Sequence, residues 1–214
     1  NYQYPYRDVQ DVPTKVSVSQ IKRRKGNDEI LTDMISVPEF MYNNRKIKGA
    51  DRGTVIHYIM QTIPLSPNID EEYVRHFVDD LVFKNEISKS ERDAVDVGII
   101  ARFFESPIGK RMISSKRIFR EAAFETEIPA NIISEEFPAE ESVILQGVID
   151  CYFEEDDGLV VVDYKSDYYN NIEEIKEKYT SQVELYSSAI EKITEKKVKS
   201  KFLYLFFGDD VVEL

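Results

Sequence analysis

Apolar positions along this chain change their spacing partway through, and that change divides it into a helical and a strand-rich part. From about Arg52 to Met112 they recur every three or four residues, as in Val55, Ile59 and Ile63, which predicts about four helices. Ser88 with Glu91 forms a capping box, and Ser106 before Pro107 marks a further helix start. A serine cap and a first-turn proline both suit the unpaired amides at a helix N-terminus. From Arg117 the period falls to two, predicting strands over Ile118 to Ile128, Ser142 to Glu155 and Leu159 to Lys165. The last two are joined by the turn Asp156-Asp157-Gly158. An amphipathic helix then covers Asn171 to Ile193, and an apolar strand runs from Val198 to Phe207 and ends at Gly208. Residues 1 to 50 are polar and read as an extended arm with one short helix beginning near Ser17 or Ser19. The order of helices, strand, hairpin, helix and strand predicts an α/β or α+β fold with a mixed central sheet, without internal repeats.

Composition narrows the class. The 214 residues, 42% of them hydrophobic, suffice for one compact domain with a sizeable core, and wholesale disorder is excluded. The longest apolar stretches, Leu159 to Val162 and Phe202 to Phe207, are far shorter than the roughly 18 to 20 residues that span a bilayer, so no membrane crossing is expected. The single cysteine, Cys151, excludes a disulfide framework and a four-cysteine metal site within this chain, and points to a reducing, cytoplasmic setting. The absence of an initiator methionine suggests a piece of a longer polypeptide. A formal net charge of −12 argues against coating nucleic acid through the overall field, although a local site can still hold phosphates with metal ions and a few cations. Dense positive charge is confined to Lys22, Arg23, Arg24, Lys25 and to Arg45, Lys46, Lys48.

Chemistry concentrates where apolar strands end in charged residues. Leu159 to Val162 runs into Asp163, Tyr164 and Lys165, placing a carboxylate and an ammonium on one strand face. The preceding strand, Gly147-Val148-Ile149, runs into Asp150. If the two strands pair across their turn, Asp150 and Asp163 converge. Buried carboxylates repel and lose hydration, so they need a cation, a proton or an ion-pair partner. A divalent ion with oxygen ligands meets that need, and so does a structural Asp163–Lys165 salt bridge. Gln182 and Tyr186 share a helix face, and Gly53 lies one turn before His57, where another element can approach closely. Cys151 should face the core opposite Asp150, His76 reads as a satisfied core histidine, and Ser166 as a turn former or phosphate contact.

Taken in order, G-x-x-x-H at Gly53 to His57, G-x-x-D at Gly147 to Asp150, D-Y-K-S at Asp163 to Ser166 and Q-x-x-x-Y at Gln182 to Tyr186 resemble the RecB-type nuclease branch of the PD-(D/E)XK superfamily. Residues Pro13 to Ser19, Pro38-Glu39-Phe40, Arg52 to His57 and Val183 to Tyr186 are similar to the C-terminal nuclease domains of AddA-type helicase-nucleases, over nearly the whole chain. The resemblance implies an α/β, restriction-endonuclease-like core with a mixed central sheet flanked by helices and preceded by a helical region. Residues 1–50 would be a polar arm and residues 51–214 the nuclease unit.

By the same resemblance, His57, Asp150 and Asp163 would ligate Mg²⁺ or Mn²⁺ together with the Tyr164 carbonyl, and the histidine favours Mn²⁺ somewhat. Lys165 would stand beside the attacking water and the scissile phosphate, and Asp150, Asp163 and Lys165 would form the catalytic set. Gln182 and Tyr186 would support Lys165 or contact DNA. Glu121 matches an acidic position on the first strand of many such nucleases, but with Glu125 and Glu127 nearby it also reads as part of a solvated strand face. One cysteine cannot hold the iron-sulfur cluster of AddB-type nucleases, so none is expected in this chain.

The activity implied is that of a metal-dependent deoxyribonuclease of the exonuclease kind. Its substrates would be single strands and double-strand ends fed by an ATP-dependent helicase motor during double-strand-break repair and homologous recombination, with an AddB-type partner reached through the full-length protein. Two other readings remain. One is a free-standing RecB-like exonuclease that guides DNA with the basic clusters of residues 1 to 50. The other is a nuclease-derived structural or protein-docking module.

Overall fold

A computed structural model of the chain describes residues 12–25 and 52–214. Pro38-Glu39-Phe40 and the basic residues Arg45, Lys46 and Lys48 lie outside the described residues, as do the side chains of Lys22 to Lys25. The first described elements are β1 (Lys15–Ser17) and α1 (Val18–Lys25), followed by α2 (Arg52–Thr62), α3 (Glu71–Phe83), α4 (Lys89–Ala94), α5 (Val97–Glu105) and α6 (Pro107–Ile113). Then come β2 (Arg117–Pro129), β3 (Ser142–Glu155), β4 (Gly158–Lys165), α7 (Ile172–Thr194), β5 (Val198–Leu205) and β6 (Asp210–Glu213).

The stretch from Arg52 to Met112 holds five helices rather than four, because the short α4 is a separate element begun by its own cap. Ser88 accepts from the Glu91 amide, while the Glu91 carboxylate accepts from the Ser88 amide at 2.6 Å. The Ser106 cap and Pro107 start α6 as the sequence predicts. His76 is not in the core. It lies on the solvent face of α3, 3.5 Å from Glu72, because Val74, Val78 and Leu81 take the buried stripe. The final apolar strand stops at Leu205, and the chain turns through Phe206 to Asp209 into β6, which pairs antiparallel with β5.

The six strands form one mixed sheet in the order β1-β3-β4-β5-β6, with β2 along the other edge of β3. The β3–β4 hairpin closes with Glu155 opposite Gly158, whose φ of 153° suits a residue without a side chain. β4 lies between β3 and β5, and Leu159 to Tyr164 are buried on both faces, as an apolar central strand must be. β1 is too short to be predicted by period, yet it pairs in parallel with Ile144 to Gln146 of β3.

Helices cover both faces. α2 to α6 pack on the side formed by Cys151, Phe153, Val160, Val162, Tyr164 and Tyr204. α1 and α7 pack on the opposite side, against Leu145, Ile149, Val161, Leu203 and Leu205. Cys151 is fully buried, as expected for a small apolar residue, but on the α2 side, toward which Asp150 also turns, rather than opposite that aspartate.

Arg120 of β2 fastens α2 to this sheet. One of its guanidinium nitrogens donates to the carbonyls of Met60 and Ile63 at 2.9 and 2.7 Å, at the end of the helix where carbonyls lack intrahelical partners. Replacing Arg120 with Met keeps most of the apolar bulk but leaves those carbonyls unpaired, and should cost about 2 kcal/mol. Urea unfolding checks this. An unchanged midpoint would mean that water takes over both carbonyls.

Candidate active site

The candidate site forms where β4 parts from β3. One edge of β3 serves two partners, β1 at Ile144 to Gln146 and β4 at Cys151 to Glu155, which leaves Gly147 to Asp150 between the two ladders. The β3–β4 ladder ends at Cys151 opposite Val162. At the next step the Tyr164 amide donates to Asp150 Oδ2 at 2.7 Å. A carboxylate thus takes the position of a strand carbonyl, and Asp150 is drawn to the base of the fork.

Across the other edge of β3, the β2 register runs unbroken except at one step. Arg120 pairs with Cys151 and Ala122 with Ile149, and between them Glu121 stands beside Asp150 with φ of +48°. A left-handed glutamate inside a strand is strained. Its consequence is visible in the packing: Phe119, Ala122 and Phe124 all face α7, although strict alternation would put Phe119 and Ala122 on opposite faces. The same change of parity occurs in β3, where Ile149 and Tyr152 share the α7 side. The kink turns the Glu121 and Asp150 carboxylates toward α2, where His57 Nδ1 lies 3.5 Å from Glu121 Oε1 and 3.5 Å from Asp150 Oδ1.

Asp163 is 1% exposed and sits in a different setting. Lys165 Nζ lies 2.5 Å from its Oδ2, and neither Asp163 oxygen has a partner of hydrogen-bonding geometry among the described residues. The Lys165 ammonium stands 4.5 Å from the centre of the Tyr179 ring on α7, and the Tyr179 hydroxyl donates to Asp167. One turn further along α7, Gln182 donates to the Tyr186 hydroxyl at 2.8 Å.

The structure therefore gathers His57, Glu121 and Asp150 into one group, and Asp163 with Lys165 into an adjoining ion pair. Glu121 is more intimately placed than its charged neighbours in sequence suggest. Tyr179, which the sequence motifs do not include, makes the ring contact with Lys165. Its signal is its place one turn before Gln182 on the same helix face.

Gly53 explains how α2 approaches this end of the sheet. A methyl group in place of its hydrogen would lie 2.5 Å from the Ser166 hydroxyl oxygen, just beyond β4.

A model of the PD-(D/E)XK nuclease superfamily matches residues 32–213. The chain belongs to the PD-(D/E)XK nuclease superfamily. It is also similar over its whole length to proteins named as subunits of an ATP-dependent helicase/nuclease, 39% identical over 228 residues to that of Clostridium novyi (strain NT) and 37% over 226 residues to that of Thermoanaerobacter sp. (strain X514). It spans 18% of the length of each of these relatives.

The side chains at this nuclease fork suit a divalent ion. One donor atom from each of His57, Glu121 and Asp150 lies within 4.8 Å of the others. Two carboxylates and an imidazole match the hard-to-borderline ions Mg²⁺ and Mn²⁺. Asp163 Oδ1, which has no hydrogen-bond partner among the described residues, adds an acceptor beside them.

Electrostatics separates the charged groups. Burial works against a charged His57, but the Asp150 and Glu121 carboxylates outweigh it and hold the imidazole well above its ordinary value. Burial works to raise Asp150, yet His57, Lys165 and the Tyr164 amide overcome it and bring that carboxyl below its usual range. Burial raises Asp163, with Lys165 opposing and the Asp150 charge reinforcing the rise. Burial opposes the Lys165 charge, and Asp163 and Asp150 more than restore it. Tyr186 stays protonated through burial and the nearby charges of Asp163 and Asp150.

Two outcomes follow. Gly53→Ala should lower stability by about 1 kcal/mol through contact with Ser166. Adding Ser166→Ala should restore the midpoint to that of Ser166→Ala alone, as thermal unfolding of the three variants would show. In metal-free buffer with EDTA, the raised His57 means that the folded state binds more protons than the unfolded state above pH 6.5. Its stabilisation is complete below pH 6.5 and is lost as the pH rises toward the folded value, by up to about 1 kcal/mol per unit. Urea titrations between pH 6.5 and 9 should show that slope in the wild type and a flatter one in His57→Asn.

Proposed function

We propose that this chain hydrolyses DNA phosphodiester bonds in a metal-dependent reaction. The observation that carries the reading is the fork itself, which sets His57, Glu121 and Asp150 beside a buried Asp163–Lys165 pair. The residues that would hold the ion are His57, Glu121 and Asp150, with Asp163 and the Tyr164 carbonyl completing the set. A bound Mg²⁺ or Mn²⁺ would supply Lewis acidity at the phosphoryl oxygen and a more acidic water.

The remaining work falls to the chain. Lys165 keeps its proton and offers positive charge where negative charge grows on the phosphate, and it orients the attacking water. Asp163 fixes the ammonium from one side and the Tyr179 ring from another, so little reorganisation is needed during the reaction. Asp150 is held by the Tyr164 amide and stays ionised, ready as an acceptor. Gln182, held by its bond to the buried Tyr186 hydroxyl, is the partly exposed polar group on the α7 face next to this charge and is suited to positioning DNA.

We assign the preferred substrate as single strands, cut exonucleolytically after delivery by a helicase motor. Similarity to proteins named as helicase/nuclease subunits supports this reading. So does the formal charge of −12, which makes an independent grip on DNA weak and a delivered strand useful. In this reading the domain acts in the cytoplasm, in double-strand-break repair and homologous recombination, with an AddB-type partner in the complete assembly.

Cleavage of end-labelled single- and double-stranded DNA tests the proposal. Mg²⁺ or Mn²⁺ should support cutting of single strands, EDTA should stop it, and Lys165→Ala should reduce the rate by about 100-fold or more. Metal-dependent cutting that survives both Lys165→Ala and Asp150→Asn would overturn the site assignment.

A further inference from the structure

An aromatic stack stands at the rim of the fork and takes no part in the chemistry above. Tyr168 lies three residues beyond Lys165, within about 11 Å of it along an extended chain. Its ring stacks on Phe207 with centroids 4.7 Å apart and planes 20° from parallel. The Arg52 guanidinium lies 3.8 Å from the Phe207 centroid and 5.2 Å from that of Tyr168, and donates to the Tyr168 hydroxyl at 2.8 Å. Tyr168 nevertheless remains 76% exposed.

These contacts have a physical cost and a direction. A large ring left in water gains nothing from exposure, yet this one is held in a fixed plane by a ring below and a cation at its hydroxyl. Phe83 is also exposed, at 84%, but no ring or cation contact holds it among the described residues. Three elements supply the stack: the first residue of α2, the segment after β4 and the turn after β5. α2 also carries His57, and Lys165 ends β4 just before the second of these segments. The stack is therefore registered to the fork, and its outer aromatic face is open.

We infer that Tyr168, backed by Phe207 and oriented by Arg52, is a platform on which a nucleobase of single-stranded DNA stacks beside the bond to be cut. The inference rests on the nuclease reading above. A paired base cannot offer its face, whereas an unpaired one of any sequence can, and Arg52 adds charge that favours the neighbouring phosphates. Stacking at the rim would fix the strand's register relative to Lys165 without reading sequence.

Binding in EDTA separates this from catalysis. A fluorescent single-stranded oligonucleotide is titrated with the 214-residue chain, beside the same oligonucleotide with abasic sites, and a 2-aminopurine version reports stacking through quenching. The wild type should bind the base-bearing strand more tightly and quench 2-aminopurine. Tyr168→Ala should weaken that binding about five- to 100-fold, abolish the quenching and leave abasic binding unchanged. Tyr168→Phe and Tyr168→Trp should stay within about two-fold of wild type, which also controls for folding. Lys165→Ala should fail to cut when metal is added yet keep the wild-type preference for base-bearing over abasic strands. Metal-dependent cutting with base binding indifferent to Tyr168→Ala would overturn the platform and leave the nuclease reading standing. Equal losses on base-bearing and abasic strands, or no binding by the wild type, would also overturn it. Absence of cutting by the wild type would count against the nuclease reading itself.

Discussion

Everything at this fork depends on keeping carboxylates charged at the end of an apolar sheet. Asp163 is almost wholly buried and Asp150 is enclosed beside it, so each needs compensation that water cannot give. Lys165 answers Asp163 directly. His57 and the Tyr164 amide answer Asp150. Because these partners come from α2 and β4, satisfying two side chains fixes a helix and two strands relative to one another. The same buried charge is what makes the group chemically useful, since a divalent ion would replace repulsion with coordination.

Strain is placed where that arrangement demands it. Glu121 adopts a left-handed backbone within a strand, and both β2 and β3 change the parity of their inward residues at that step. In a regular pleat both carboxylates would share the face opposite Arg120 and Cys151, away from α2. The kink lets Glu121 and Asp150 turn together toward His57 at a local conformational cost, offset by the long β2–β3 ladder on either side.

The attachments of α2 show how the imidazole is held in place. Arg120 binds carbonyls at the helix C-terminus, and Gly53 allows the other end to lie against Ser166. His57 stands between these two anchors. Its ring also meets the edge of Tyr164, with centroids 6.0 Å apart, and Tyr164 in turn packs against Phe103. Aromatic packing on the α2 side of the sheet therefore reaches the same residue whose amide holds Asp150.

The sequence by itself determined the β3–β4 hairpin, the buried central strand and the caps at Ser88 and Ser106. Each of these follows from spacing within a few residues or across one tight turn, so periodicity and side-chain chemistry suffice. The ordered motifs also made family membership legible. What only the tertiary structure decided were features set by distant partners. β1 has too few residues to show a period and is a strand because β3 offers an edge. His76 faces water because other α3 positions fill the core. Glu121 joins His57 because packing tolerates a backbone angle that its side chain does not advertise. The Tyr168 stack unites residues 52, 168 and 207, which no local pattern connects. Local order is written in neighbouring residues, whereas the sign of a dihedral or the meeting of three remote side chains is settled by which close packing satisfies every buried charge at once.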